Sequence, residues 1–378
     1  MFKFNFDEKL NEFLSIIVGC AEKFNLNIYI VGGAVRDYFL KVPIKDIDLI
    51  LEGDAVSFSK NLPECVKIKS IHSDFSTVKV EYDGRIFDIA STRTERYPYS
   101  GCLPQVIKTG VLIEEDVARR DFTVNSLYCK LSLTDNVLNY ELIDFYSGVD
   151  DIAKKELKVL HNKSYIDDPT RILRGLSYKF RFGFNFSSCD IDLIAEYLKN
   201  INRENISVDR CMMVFSDVLS VSPYEVFCEA VLKGYYHIIQ PLELNIDFDD
   251  VKKCIDLFKP DKAETVDFLM KVILNRDVIT ENFCTDLDIF YGFKKYKSNA
   301  GLAYYYYKTS DYNVIKYLSF KDTEILLNGN DLIKLGYPKG RLFSDIFDEL
   351  YKYKLANTNK ILNKNDEINL VKTLFPIK

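Results

Sequence analysis

The chain contains no tryptophan and only three histidines, His72, His161 and His237, none of them followed by aspartate. A metal phosphodiesterase built on His-Asp pairs is therefore not expected. Its nine cysteines are an odd number, scattered without a C-x-x-C, so neither a disulfide framework nor a zinc knuckle is indicated. Buried thiols in a reducing compartment are the expectation. No apolar run approaches the roughly 18 residues of a membrane span, and the start, MFKFNFDEKL, lacks a signal peptide's basic and apolar segments. These absences point to a soluble, cytoplasmic protein with no membrane partner. Repeats, low-complexity tracts and long disordered linkers are also missing.

What is present is enough for real cores. At 378 residues and 47% hydrophobic content, the chain has material for two or more domains. The net charge of −6 argues against a uniformly cationic nucleic-acid coat. The charge is uneven, however. From residue 251 onward there are 21 Lys and Arg against 17 Asp and Glu, compared with 29 against 39 before it. A basic end on an acidic body suits a polyanion gripped at one end, or an ordinary Lys-rich surface.

The stretch IYIVGGAVRDYFLKVPIKDIDLILE, from Ile28 to Glu52, carries the strongest chemical signal. It predicts a short apolar strand, a turn at Gly32 and Gly33, a helix start with Arg36 and Asp37, and a second strand holding Asp46 and Asp48. Residues two apart on a strand share a face, so the two carboxylates point together while Ile47 and Leu49 enter the core. Glycines let backbone amides approach a phosphate, helped by a helix N-terminus, and Arg36 adds positive charge. Two carboxylate-held metals lower a hydroxyl's pKa and stabilise the charge of a phosphoryl transition state. A glycine pair alone is weak evidence; with D-x-D thirteen residues later it indicates metal-assisted phosphate chemistry.

Around this stretch, residues 7–24 show helical spacing of Leu10, Phe13, Leu14, Ile17, Cys20 and Ala21. A linking helix is expected near residues 55–61, followed by STVKVEYD and RIFDIAST as a strand pair about Asp83-Gly84, with Asp88 on the second. Asp46, Asp48 and Asp88 would then converge to hold two divalent ions. Thr92 to Glu115 is turn-rich, with Pro98, Gly101, Pro104 and Gly110. It leads to EEDVARRDFTVNSLY, where Arg119, Arg120, Asp121 and Asn125 open a strand or a helix. From about residue 150 helical patterns dominate, including DDIAKKELKVL and DDPTRILRGLSYKFRFG, where Pro169 suits a helix's first turn after an Asp cap. The run Tyr304 to Tyr307 faces all sides of a helix and is read as packing.

In order, VGGAVRD, KDIDLI, RRDFTVNSL, IDFYSGVDD and DDPTRILRG closely resemble the class II tRNA nucleotidyltransferases and bacterial poly(A) polymerases of the polymerase-beta-like superfamily. The match is dense over about residues 28–184 and thinner beyond. It implies an α+β fold: a mixed-sheet head over residues 1–145, then a helical neck (146–210), body (211–275) and RNA-binding tail (276–378). It assigns Asp46 and Asp48 to two Mg2+ ions, with Asp88 as a third catalytic carboxylate, and Gly32, Gly33 and Arg36 to the triphosphate. Arg119, Arg120, Asp121 and Asn125 match the nucleotide and ribose contacts, and Asp144, Gly148 and Asp151 the link from head to neck.

In this family an acidic pair and an Arg of the neck helix read the incoming base in place of a template. Asp168 and Arg171 match them and are expected on one helix face, facing the donor and acceptor pattern that C and A share. Arg174 continues the motif, but Ser177 stands where a third arginine is usual, which leaves Lys179 or Arg181 to compensate. Asp167 replaces a usual Glu, and Asp209 and Arg210 replace a Glu-Arg. Near the end, GNDLIKLGYPKGRLFSDIF offers Lys334, Lys339 and Arg341 beside Gly336 and Gly340 for RNA phosphates.

The implied activity is template-independent addition of CCA to the tRNA 3′ end from CTP and ATP. A-only addition, CC-only addition, poly(A) synthesis and a catalytically silent RNA-binding relative are the alternatives. The well-populated segment from Thr92 to Glu115 disfavours CC-only addition.

Overall fold

A computed structural model describes the chain except residues 1–3, 100–101, 202–205, 276, 279, 281–282, 297, 359 and 378; Gly101 of the turn-rich segment thus lies outside the described residues. The expected first helix is present as α1 (Glu8–Lys23), capped by Asp7, whose carboxylate accepts the Leu10 N–H at 2.9 Å. After β1 (Ile28–Val31) come α2 (Gly33–Leu40), β2 (Asp48–Leu51), α3 (Ala55–Ser59), β3 (Lys67–His72), β4 (Thr77–Tyr82) and β5 (Arg85–Ser91).

These strands join β8 (Leu127–Thr134) and β9 (Val137–Asp144) in one seven-stranded sheet of order β3-β4-β5-β2-β1-β8-β9. Only β2 and β5 run parallel, which sets Asp48 directly beside Asp88. Alternation along the strands gives the sheet two buried faces. Ile28, Ile30, Leu49, Leu51 and Ile89 pack with Phe13, Leu14 and Ile17 of α1. Tyr29, Val31, Ile50 and Tyr128 on the other face meet Ile113, at the start of α4 (Ile113–Asp116), and Val117 just after it. Each fully buried side chain of this kind contributes about 1.5–3 kcal/mol, so the sheet is a firm base for groups at its edge.

Several local expectations need correcting. Asp46 lies in the approach to β2 and only Asp48 is on the strand. Pairing of β2 with β1 ends at Leu49 opposite Ile30 as β1 runs into the Gly32 turn, and its pairing with β5 reaches only to Asp48 opposite Asp88. The turn-rich segment contains a two-stranded antiparallel ribbon, β6 (Arg93–Arg96) with β7 (Gln105–Thr109). The RRD segment is neither strand nor helix: two short 3-10 turns flank an extended Arg120, and β8 begins only at Leu127. Four cysteines are buried, but Cys65, Cys189 and Cys284 are exposed.

Beyond the sheet, α5 (Gly148–Lys154) stops at a left-handed Lys155, and a two-residue strand β10 (Glu156–Leu157) pairs in parallel with β11 (Asn185–Phe186). The region after residue 150 is therefore helical with one small strand pair. Between those strands lie α6 (Ser164–Asp167) and α7 (Thr170–Phe182); α8 (Ser188–Lys199), α9 (Val208–Leu219) and α10 (Pro223–Leu232) follow. Glycine is obligatory at the join from sheet to helices. A Cβ on Gly148 would stand 2.2 Å from the Thr123 carbonyl oxygen.

The chain divides into two units, Met1–Pro241 and Leu242–Lys378. The second is helical throughout its described residues: α11 (Phe248–Phe258), α12 (Lys262–Leu274), α13 (Asp286–Lys294), α14 (Asn299–Thr309), α15 (Asn313–Leu318), α16 (Gly329–Lys334), α17 (Arg341–Ala356) and α18 (Lys364–Leu374). Tyr304, Tyr305 and Tyr306 are buried in α14, as the packing reading of the tyrosine run requires. Leu332, Ile346, Leu350 and Val371 form a separate core for the last three helices.

Candidate active site

A cavity of about 450 Å³ in the first unit gathers the glycine turn, the RRD segment and the neck helix. Gly32, at φ 61 and ψ −115, sits between β1 and α2. Most side chains avoid that conformation, and a Cβ there would also meet Arg120 Nη1 at 3.4 Å. Gly33 follows, and Arg36 enters the cavity one turn into α2. Arg36 is buried, donating to Asn125 Oδ1 at 2.7 Å and to Asp37 Oδ1 through Nε and Nη2 at 2.9 and 2.7 Å. Its guanidinium also lies 5.2 and 4.8 Å from the ring centres of Tyr178 and Phe182, joining α2 to α7.

Arg119 and Arg120 both reach the cavity because Asp116 holds them from behind. This carboxylate is fully buried and accepts from Arg119 (2.8 and 2.9 Å), Arg120 (3.2 Å), the Tyr128 hydroxyl (2.9 Å) and the Arg93 backbone N–H (3.0 Å). Burial opposes its charge, but Arg119 and Arg120 outweigh burial and hold it below the usual aspartate range. Asp116 was missing from the sequence-based candidates. Its signal was legible as a carboxylate three and four residues before the two arginines, the spacing of ion pairs on one helical turn. Asp121 likewise orders the segment, accepting the Phe122 N–H at 2.8 Å and the Asn125 amide at 3.0 Å.

The neck contributes Asp168, Arg171 and Arg174 to the same cavity, together with Tyr97 and Glu95 from the ribbon and its exit. Asp168 is 2% exposed and Arg171 1%. They neither share a helix face nor pair with each other. Asp168 precedes α7 in an extended conformation, where it accepts the Thr170 N–H at 3.1 Å and so caps the helix as expected. Arg171 turns instead to the Ser164 hydroxyl and to the Arg119 carbonyl oxygen at 3.0 Å. Asp168 is gripped by Arg210 of α9 through both oxygens, at 3.1 and 2.8 Å, with Arg174 3.5 Å away. Burial raises its pKa, but Arg174 and Arg210 prevail and keep it below the ordinary range. Arg171 Nε and Arg174 Nε are buried without a hydrogen-bond partner.

Beside Arg171 and Arg174, the third guanidinium that the helices after the sheet bring to this pocket is therefore Arg210. Lys179 is engaged by Glu229 at 2.7 Å and Arg181 lies over the Phe182 ring, so neither replaces the arginine absent at Ser177. Asp167 faces His161 at 4.0 Å outside the cavity lining, with its pKa raised by burial.

Of the three carboxylates, Asp48 alone lines this cavity. Asp46 borders a neighbouring cavity of about 960 Å³ below the approach to β2. Asp88, level with Asp48 on β5, pairs with Lys79 at 3.0 Å, while its other oxygen, Oδ1, is buried without a partner. Burial, then Asp88 and Asp46, push the Asp48 carboxyl above the usual range. The expected convergence is thus incomplete: among the described residues no three His, Cys, Asp or Glu side chains are close enough to hold an ion. The donor chemistry still fits Mg2+, which takes one or two carboxylates and completes its shell with water and substrate phosphates. The unsatisfied Asp88 oxygen and the raised Asp48 carboxyl are compatible with such a cation.

Lys334, Lys339 and Arg341 lie exposed about the turn between α16 and α17, where Gly336 (φ 93) and Gly340 (φ 140) permit the backbone path.

Residues 28–158 match the poly A polymerase head domain family. An A-adding tRNA nucleotidyltransferase of Halalkalibacterium halodurans is 36% identical over 197 residues, 49% of this chain and 44% of the relative. A CCA-adding enzyme of Staphylococcus saprophyticus is 28% identical over 203 residues, 51% of this chain and 47% of that one. The matches span less than half of these curated relatives' own length. Among solved structures, "The structure of CCA-adding enzyme apo form II" superposes with a TM-score of 0.74 at 22% identity over 98% of this chain and 97% of the other, a likeness of fold. Residues 28–158 are thus similar to the poly A polymerase head domain, and the resemblance to the class II tRNA nucleotidyltransferases is borne out.

Proposed function

We propose that this protein transfers nucleotides from CTP and ATP to the 3′ end of tRNA without a template, building CCA. The observation that carries this reading is the single cavity holding Gly32, Gly33 and Asp48 of the head together with Asp168, Arg171 and Arg174 of the neck. A triphosphate seated on the glycine turn and the N-terminus of α2 meets Arg120, beside Gly32, and Arg36. The base then extends toward Asp168 and Arg171, where buried, pre-positioned groups reject a partner with the wrong hydrogen-bonding pattern. Asp46 and Asp48 would hold Mg2+, with Asp88 beside them, and the ion would lower the pKa of the attacking 3′ hydroxyl and offset phosphate charge. Asp121 and Asn125 fix the segment beside the ribose. Related proteins in solved structures were captured with CTP, with ATP and with tRNA, which supports these substrates.

A second reading, addition of the terminal A alone, is favoured by one observation: the A-adding relatives reach 36–37% identity, against 28–30% for the CCA-adding ones. Three tRNA transcripts, ending at the discriminator base, at C and at CC, separate the two when offered labelled CTP, ATP or both. Full CCA addition extends all three to the same end. Incorporation of ATP on the CC-ending transcript alone, with CTP never entering, establishes A-only addition. Long A tails on unrelated RNA indicate poly(A) synthesis, and no incorporation at all indicates a silent relative.

A further inference from the structure

We infer that Arg210, on α9 and outside the motif that carries Asp168 and Arg171, is a positioning residue that sets nucleotide choice by aiming the Asp168 carboxylate. This assignment rests on the functional reading above. A carboxylate offers about four lone-pair sites. Asp168 Oδ1 already accepts from Thr170 N–H at 3.1 Å, the Thr170 hydroxyl at 2.6 Å and Arg210 Nη1 at 3.1 Å. It has no capacity left for a base.

Oδ2 differs. It accepts one firm bond, from Arg210 Nη2 at 2.8 Å, and its other neighbour is Arg174 Nη2 at 3.5 Å. Arg174 is stretched between two carboxylates, standing 3.7 Å from Asp121, and its Nε has no partner. Arg174 is therefore the donor that an incoming amino group displaces, and Arg210 is the one that stays. Two parallel bonds from a planar fork fix the plane of the carboxylate, which a single point contact would not. With that plane fixed, the one acceptor site open to the cavity lies where the exocyclic amino group of C or A reaches it. A carbonyl of U or G at that position would face a carboxylate oxygen.

The test measures kcat and KM for ATP, CTP and UTP on CC-ending and discriminator-ending tRNA, in the wild type, R210K and R210A, alongside thermal melting. Removing the fork is expected to lower the preference for ATP or CTP over UTP by roughly tenfold or more. R210K, which keeps the charge and loses the fork, is expected to fall between wild type and R210A in that ratio. If R210A lowers kcat/KM for all three nucleotides by the same factor, or R210K behaves as R210A does, Arg210 only supports the fold and the assignment is wrong. Failure of the wild type to incorporate any nucleotide overturns the functional reading and this assignment with it. An unchanged ratio in an active enzyme overturns the assignment alone.

Discussion

The two ends of the cavity are built on opposite principles. At the neck, Asp168 and Arg171 are buried and their bonds are made before any ligand arrives, so their geometry is set in advance. At the start of the central strand β2, Asp48 opens onto the cavity, Asp46 sits on an unpaired approach, and one oxygen of Asp88 on the neighbouring β5 has no partner. There the carboxylates repel one another and weaken the fold that holds them. Recognition demands fixed groups, because selectivity comes from the cost of leaving buried polar atoms unpaired. The proposed phosphate chemistry with a metal would instead demand unmet charge, which an ion and its substrate would satisfy.

The sharpest way to break this contrast is Asp48→Asn. Nucleotide incorporation is expected to fall by roughly a thousandfold or more, since a group stabilising the transition state is lost. Stability is expected to move the other way. The Asp48 carboxyl is raised in the folded protein, so its stabilising share is present at low pH and is lost as pH rises through that raised value. At neutral pH the variant should therefore melt no lower than the wild type without added metal, and Mg2+ should raise the melting temperature of the wild type more. A variant that is inactive because it is unfolded would end the argument.

Between the two ends stands Asp116, where the same charge has the opposite consequence. Asp116→Asn leaves Arg119 and Arg120 without their buried counter-charge and should cost about 3 kcal/mol, read by denaturant unfolding. Because this carboxyl is lowered in the fold, its contribution is present above the ordinary aspartate pKa of 3.8 and is lost as pH falls through the depressed value. The wild type should thus lose stability below that pH more steeply than the variant. Equal acid profiles would show that Asp116 is a spectator.

Legibility followed the same divide. The sheet strands, α1, the glycine turn and the order of motifs were readable, because alternation, caps and glycine conformations are local properties. The registers that end β2 pairing with β1 at Leu49 and with β5 at Asp48, and so leave Asp46 before the strand, depend on where the partner strands run, which is not local. Asp168 and Arg171 looked like one helix face because they are three apart, but the chain enters α7 only at Thr170 and each side chain found a distant partner. Arg210 lay 42 residues away from Asp168, beyond the reach of any spacing rule.

A milder perturbation of the neck keeps the scaffold and tests whether pre-organisation serves choice. Arg171→Ala should relax selection among ATP, CTP and UTP by about ten- to a hundredfold while tRNA affinity changes far less. The variant leaves the Arg119 carbonyl oxygen and the Ser164 hydroxyl without their donor, so a modest drop in melting temperature is also expected. Equal use of UTP and CTP by the wild type would remove the basis for assigning base recognition to the neck at all.

The smallest effect belongs to groups that belong to neither end. Lys339 is exposed on the turn before α17, where a lysine contributes to polyanion binding through counterion release and little else. If it contacts an RNA phosphate, Lys339→Ala should weaken tRNA binding at moderate salt and reduce the slope of log affinity against log salt by about 1. Incorporation with saturating tRNA at low salt should be unaffected, because the variant touches no group of the nucleotide cavity. Filter binding across a salt series separates this from a structural effect, which would lower affinity by the same factor at every salt concentration. An unchanged slope would remove this turn from the RNA-binding surface and leave the basic excess of the C-terminal third as ordinary solvated charge.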